Sequence, residues 1–302
     1  MTETLRQLKH LFFHVRRRAM RGRFDTIIPL FSLSLKIVLK KDFSIKNFDD
    51  TGIDVVIPTV SKDFPLLEIM LEALKRNLCQ PINKIYVISR PNPELSEFCL
   101  RNKLTFVDEK SVLGYGKESI NYYTKDADRR GWILQQLIKL SGDKVVEREN
   151  YVIVDSDTVL VGKNSFLEDG RFVFFQNTEW HEPYFKSFQK MFGYQTINKL
   201  SFTSHMMIFN KTMLREMKEE LEKVHGTTWD QVYLSTVDPR EPSCVSDYDT
   251  YANWVLIHHP ELFKQKPLYN KSVSRSELKD LAGLEKQFSE SCKTISFHSY
   301  LI

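Results

Sequence analysis

The chain has 302 residues, enough for one large α/β domain or two small ones at the roughly 100–200 residues a domain uses. Hydrophobic residues at 42% and aromatics at 12% supply a core and exclude disorder across the chain. Net charge is +4, but residues 1–46 hold eleven Lys/Arg against three Asp/Glu, a net +8, so residues 47–302 sum to −4. A weakly acidic body excludes nucleic acid as a general partner, because phosphate binding needs a basic surface.

The first segment reads as a basic amphipathic helix. Leu5, Leu8, Phe12, Val15 and Ala19 recur at helical spacing, and Arg6, Lys9, Arg16, Arg17, Arg18 and Arg21 fill other positions. After Gly22, Leu33, Leu35, Ile37 and Leu39 alternate with Ser32, Ser34, Lys36 and Val38, a strand-like period. A leader of this kind lies on an anionic membrane surface, docks on its own domain, or packs on a protein partner. The start, MTETLRQLKH, has no apolar run or cleavage site of a secretory signal. The stretch Ile27–Leu39 contains Pro29 and Lys36 and falls short of the roughly 20 residues of a spanning helix. Cys79, Cys99, Cys244 and Cys292 stand alone, without C-x-x-C or zinc spacing, and read as reduced thiols of a cytoplasmic protein.

From Asp54 strands and helices alternate. Strands are expected at Asp54–Pro58, Lys84–Ser89, Leu104–Val107 and Tyr151–Val154, with helices at Phe64–Asn77, Glu94–Arg101 and Arg130–Leu140. This order predicts an open, mostly parallel sheet flanked by helices, with ligands beyond the carboxyl ends of the strands. Further strands are expected at Arg171–Gln176 and His205–Asn210, helices at Lys211–Val224 and Tyr248–His258, and a late apolar segment at Thr294–Tyr300. No long linker interrupts the chain. The expected organisation is therefore a leader over residues 1–46 and one domain over residues 47–302.

Asp155-Ser156-Asp157 follows the apolar strand YVIV directly. Acids at i and i+2 on a strand end converge on one hard cation, Mg²⁺ or Mn²⁺, which completes its shell with phosphate oxygens and water. Such a cation neutralises a departing diphosphate. Two surface acids at a strand end would read the same way. On the helix that precedes this strand, Trp132, Gln136 and Lys139 fall near one stripe, and Gln135 and Lys139 form an i,i+4 pair. Amides and a cation suit sugar hydroxyls, a ribose or a diphosphate, or simply an exposed polar face.

These motifs resemble the GT-A-fold nucleotide-sugar glycosyltransferases, and more closely a poorly characterised bacterial group among them. DVVIPTVSKDF looks like the donor-binding first strand and loop of that fold. Arg130-Gly131-Trp132-x-x-Gln135-Gln136-x-x-Lys139 ahead of YVIVDSD looks like its helix followed by D-x-D. SHMMIF at Ser204–Phe209 and Ser246-Asp247-Tyr248-x-x-Tyr251 match later motifs, and the likeness covers residues 53–300. It implies a GT-A-like α/β fold, with a nucleotide-diphosphate-sugar on residues 53–160 and a glycan or lipid-linked acceptor over residues 161–302. It implies metal contacts from Asp155, Asp157 and His298, the last since this fold often brings a late histidine back to the metal; packing in the late apolar segment is the alternative role for His298. Donor contacts would come from Pro58, Thr59, Lys117, Arg130, Gln135, Gln136, Lys139 and Ser156.

Ser246 suits a helix N-cap, which puts Asp247 in the first turn, where the dipole favours its charge. That is a position for a general base on the acceptor hydroxyl, and equally for simple capping. His205, Trp180, Glu179 and Asp249 are the candidate acceptor contacts, the histidine and the tryptophan being equally suited to a core. The expected function is metal-dependent sugar transfer, with inversion, in bacterial surface polysaccharide synthesis, at the inner face of the membrane. A nucleotidyltransferase would use the same carboxylates but needs a glycine-rich first loop, and Thr59–Asp63 has no glycine. A non-catalytic scaffold binding glycan or membrane would not need both acids.

Overall fold

In a computed structural model, residues 3–45 and 47–298 are described here, with side chains from residue 11 onward. In chain order the elements are α1 (Glu3–Met20), α2 (Ile27–Val38), β1 (Ile53–Pro58), α3 (Phe64–Asn77), β2 (Ile82–Ser89), α4 (Pro93–Arg101), β3 (Thr105–Asp108), α5 (Glu109–Leu113), α6 (Arg130–Lys139) and β4 (Asn150–Val154). There follow β5 (Thr158–Leu160), β6 (Leu167–Glu168), β7 (Arg171–Gln176), α7 (Glu182–Phe192), β8 (Met206–Asn210), α8 (Lys211–His225), α9 (Trp229–Ser235), α10 (Asp247–His258), β9 (Phe263–Pro267), β10 (Asn270–Ser274), α11 (Leu281–Phe288) and β11 (Thr294–His298).

Five strands form the central sheet in the order β3-β2-β1-β4-β8. Four run parallel, and β8 closes the edge antiparallel to β4. The α/β fold expected from the strand–helix alternation is therefore the one observed. The middle strand β1, IDVVIP, is buried along its whole length, as a parallel strand covered on both faces must be. From α3, Leu67, Met70, Leu71 and Leu74 pack on this sheet. Tyr151 of β4 stacks on Phe209 of β8, which stacks in turn on Tyr251 of α10. Two three-stranded sheets, β10-β11-β5 and β6-β7-β9, extend the second half. Through β5, β11 is laid antiparallel beside the continuation of β4, with Ser296 opposite Thr158. That pairing carries the chain's late segment back to the acidic turn. The residues of the Thr294–Tyr300 expectation beyond His298 lie outside the described residues.

The strand-like reading of 33–39 is corrected: these residues belong to helix α2. Leu30, Leu33 and Ile37 face inward at helical spacing, where they pack with Leu11 and Val15 of α1 around the fully buried Leu200. Local alternation misled because α2 is apolar on two opposite faces, and period 2 and period 3.6 then overlap over seven residues. Pro29 sits in the first turn, where its missing N–H costs nothing. Arg18 anchors α1 by donating from Nη2 to the Thr178 carbonyl, 2.7 Å away.

At the opposite edge of the sheet from its carboxyl ends, a buried carboxylate ties three segments together. Asp54 Oδ1 accepts from Asn83 Nδ2 at 2.8 Å and Lys84 N at 3.1 Å, and Oδ2 accepts from Glu147 N and Arg148 N at 2.8 Å each. Asp54→Ala strands those backbone donors, and is expected to cost at least about 3 kcal/mol of stability. Urea unfolding of the variant beside Asp54→Asn, which keeps one acceptor, checks this.

Candidate functional site at the carboxyl edge of the sheet

Strand β4 ends at Val154, so Asp155, Ser156 and Asp157 emerge at the sheet's ligand-binding edge. Helix α6 delivers Lys139 to the same point. Its Nζ is 2.6 Å from Asp155 Oδ1 and 3.4 Å from Asp247 Oδ2, and it lies 4.3 Å from the centre of the Tyr248 ring. Only 5% of the Lys139 side chain is exposed, so its charge must be answered by protein groups. Tyr248 Oη donates to Asp155 Oδ1 at 3.1 Å. Asp155 Oδ2 faces His205 Nδ1 at 3.5 Å.

His205 is placed by its backbone as well as by charge. Its φ is +60°, a left-handed conformation uncommon outside glycine, although histidine is among the residues that adopt it more often. In that geometry its carbonyl accepts from Asp155 N at 2.8 Å while its ring faces the Asp155 carboxylate. Backbone and side chain of one residue thus grip the first acid of the turn.

Burial alone raises the Asp155 carboxyl, but Lys139 and His205 more than offset it and hold it well below the usual carboxylate range. Burial lowers the Lys139 ammonium, and Asp155 and Asp247 together return it above its ordinary value. For Asp247 burial wins: despite Lys139, its carboxyl is pushed up to about 6. Asp247 lies in the first turn of α10 as expected, and desolvation there outweighs the favourable dipole effect. Ser246 is the N-cap as expected, accepting from Asp249 N at 3.1 Å.

The second acid points elsewhere. Asp157 Oδ2 lies 3.6 Å from His298 Nδ1, and the two imidazoles of His205 and His298 are 5.2 Å apart, centre to centre. His298 Nε2 sits 3.3 Å from Ser272 Oγ of β10, a partner that would orient the ring with Nδ1 toward Asp157. Among the described residues, no three His, Cys, Asp or Glu side chains stand close enough together to cage a metal ion. A carboxylate and an imidazole at this separation still fit a Mn²⁺ or Mg²⁺ that takes its remaining ligands from phosphate oxygens and water.

The first loop joins the turn from the other side. Ser156 Oγ donates to Asp63 Oδ2 at 2.8 Å, and Arg275 Nη2 contacts Asp63 Oδ1 at 2.5 Å. Arg275 also donates to the Lys62 carbonyl at 2.7 Å. Beyond Pro58, the buried Thr59 Oγ1 has no hydrogen-bond partner among the described residues, and Asp247 Oδ2 has the 3.4 Å ion pair with Lys139. An unsatisfied buried hydroxyl at the end of β1 is what a polar ligand would complete.

The remaining predicted residues divide by position. Gln136 Oε1 accepts from Asp247 N at 2.7 Å and Tyr233 Oη at 3.3 Å, so it fixes the start of α10. Asp249 is buried against the 201–203 loop, accepting from Phe202 N, Ser201 Oγ and Thr203 Oγ1. Arg130 forms a paired contact with Asp128 and lies over Tyr123, while Lys117 starts a short turn and Gln135 is partly exposed on α6. Trp180 lies under Arg23, and Glu179 is exposed beside it, where the amino-terminal helices dock. Sequence reasoning overlooked Tyr248, Asp63 and Arg275 as members of the site. One signal was available for Tyr248: Asp247–Val255 is a mixed polar and apolar run with no exposed face, and polar groups on such a buried helix must be paired or functional.

The fold and site define an α/β protein with a lysine-neutralised acidic turn at the carboxyl edge of a mostly parallel sheet. The chain belongs to a family of unknown function, DUF6492, whose pattern matches residues 50–288. No curated protein matches it. Among solved structures it is similar to mouse xyloside xylosyltransferase 1, at 11% identity and TM-score 0.43 over 83% of this chain and 99% of that one. It is also similar to the bifunctional glycosyltransferase WbbM, at 13% identity and TM-score 0.48, over 85% of this chain and 48% of that one. A third is the galactosyltransferase LgtC in complex with donor and acceptor sugar analogues, at 8% identity and TM-score 0.45 over 82% of this chain and 88% of that one.

The two buried acids carry opposite pH signatures. Asp155, lowered in the folded chain, contributes stability that is present at neutral pH and is lost as acid protonates it. Asp247, raised to about 6, holds a proton between roughly pH 4 and 6 that the unfolded chain releases, so stability falls as pH climbs through that window. Asp247→Asn removes this titration while withdrawing one of the two carboxylates that answer Lys139. Urea unfolding at a series of pH values is expected to find the decline in stability between about pH 4 and 6 weaker in the variant than in the parent.

Proposed function

We propose that this chain is a glycosyltransferase that moves a sugar from a nucleotide-diphosphate donor to a hydroxyl of a glycan or lipid-linked acceptor. The observation that carries the reading is the convergence, at the carboxyl ends of β1 and β4, of the Asp155–Asp157 turn, His298 and the Lys139–Asp247 pair. Open parallel sheets bind their ligands at this edge. The donor belongs to residues 53–160 and the acceptor to residues 161–302 in this reading, with Pro58, Thr59 and Ser156 along the donor's path.

Asp157 and His298 would hold a divalent cation, which when bound offsets the charge of the departing diphosphate. Asp155 is kept ionised by Lys139 and His205. Lys139 contacts both Asp155 and Asp247, so it sets the distance between the donor end of the site and its acceptor end. Asp247 is ionised at pH 7.5 yet retains a raised proton affinity, and its Oδ2 is held by Lys139 at 3.4 Å. A carboxylate in that state suits removal of the acceptor hydroxyl proton as the oxygen attacks the anomeric carbon, with inversion. The absence of glycine from the first loop, Thr59–Asp63, disfavours nucleotidyl transfer. Peripheral contact with the inner face of a membrane through residues 1–23, in bacterial surface polysaccharide synthesis, belongs to the same proposal, since a lipid-linked acceptor is presented there.

Thermal melts with nucleoside diphosphates, with and without Mn²⁺, test this. A ligand at about 100 times its Kd adds about 2.7 kcal/mol, which is a rise of several degrees. The rise is expected only with Mn²⁺ present, and is expected to vanish in Asp157→Ala and His298→Ala. Donor hydrolysis is expected to fall at least about 100-fold in Asp157→Ala with its fold retained. Unaltered hydrolysis in that variant would refute the assignment.

A further inference from the structure

Helix α2 has two apolar faces, and among the described residues only one of them is covered. Leu30 and Leu33 are buried, and Ile37 packs beside them. On the opposite side Phe24, just before the helix, is followed by Ile28, Phe31, Leu35, Val38 and Leu39, all exposed. Steps of four, three, four and three residues, with Leu39 directly after Val38, keep these side chains within about a 100° arc. Ile28 is 80% exposed, Leu39 68% and Leu35 58%, whereas large side chains of a soluble surface are ordinarily scattered singly. Helix α1 adds Phe12, Phe13 and Met20, each more than half exposed.

Charge selects the occupant. Residues 11–45 contain eight Lys/Arg and two Asp, a net +6. Arg16, Arg17, Arg21, Lys36, Lys40 and Lys41 are exposed, while the six apolar positions include no acid. A second copy of the chain would set +6 against +6 across the contact, whereas an anionic bilayer supplies the opposite sign. No helix among the described residues is long and apolar enough to cross a membrane. The twelve residues of α2 extend about 18 Å, against a hydrocarbon core of about 30 Å. A helix this short, apolar on one arc and flanked by long cationic side chains, lies in the interface, with its rings in the acyl boundary and its lysines and arginines among the headgroups.

We infer that α2, through the stripe Phe24–Leu39, is the surface by which this chain lies on an anionic lipid bilayer. The inference rests on the membrane part of the proposed function but not on its chemistry, and it extends the contact proposed for residues 1–23 onto the second helix. Because the inner face of α2 packs on Leu200, lipid contact would orient the folded domain and not merely tether it.

Flotation of the full chain with phosphatidylglycerol-containing vesicles and with pure phosphatidylcholine vesicles, at low and high salt, tests the inference. Binding is expected to the anionic vesicles, weakened by salt. It is expected to fall at least about tenfold in the triple variant Ile28→Asp, Phe31→Asp, Leu35→Asp. Val224→Asp, an exposed apolar position on α8, is expected to bind as the parent does. Should the triple variant fail to give a parent-like melting transition, Ile28→Ser with Leu35→Ser takes its place. Flotation unchanged by the α2 substitutions overturns the inference. So does loss confined to Phe12→Asp with Phe13→Asp, which would limit the contact to residues 1–23. A parent that ignores anionic vesicles but forms a dimer dissolved by the α2 substitutions would assign the stripe to a second copy and overturn it as well. Asp157→Ala, the variant that tests sugar transfer, is expected to float like the parent, so the two proposals fail separately.

Discussion

A single buried ammonium organises this molecule's functional edge. Lys139 cannot remain charged away from water unless carboxylates answer it, and the two that do come from distant parts of the chain, Asp155 after β4 and Asp247 at the start of α10. The pairing therefore locks α6, the acidic turn and α10 into one geometry. Tyr248 reinforces it by presenting its ring to the ammonium and its hydroxyl to Asp155. The cation is shared unequally, 2.6 Å to Asp155 and 3.4 Å to Asp247, and Asp155 also faces His205 and keeps 18% of its side chain exposed against 3% for Asp247, so the two carboxylates differ in proton affinity. Two acids of unlike affinity in one site are a recurring basis for dividing roles between them.

Around this centre, the turn Asp155-Ser156-Asp157 is gripped at each of its three side chains by a different segment. Lys139 and His205 hold the first, Asp63 the second, and His298 faces the third. Arg275 extends the middle contact to the first loop, whose Asp63 it meets while also reaching the Lys62 carbonyl. The left-handed backbone of His205 is part of the same arrangement, because relaxing it would withdraw both its carbonyl and its ring from Asp155.

The amino-terminal helices follow a different logic. One face of α2 is fixed by Leu200, and the docking of α1 is fixed by Arg18 against the Thr178 carbonyl. Trp180 lies under Arg23 in the same region. Residues 177–201 thus connect the basic surface to the loop that buries Asp249, so a contact made by α2 bears on the half of the domain that the proposed function gives to the acceptor.

Much of this fold was legible in the amino-acid order. Runs such as DVVIP, IYVIS and YVIV are buried on both faces, as a parallel sheet covered by helices requires, while the D-x-D turn sits where its strand must end. What the order could not determine was which distant groups meet. The segment 33–39 carries apolar residues on two faces, so local periodicity was ambiguous until Leu200 chose one of them. The affinity of Asp247 for its proton depends on burial by α6 and the sheet, not on its place in a first helical turn. Partnerships of Asp155 with Lys139, of Ser156 with Asp63 and of Asp157 with His298 join residues separated by 16, 93 and 141 positions. Sequence fixes local conformation through sterics and periodicity, whereas desolvation and charge pairing act through space, and they decided the site only once the sheet had brought these side chains to one edge.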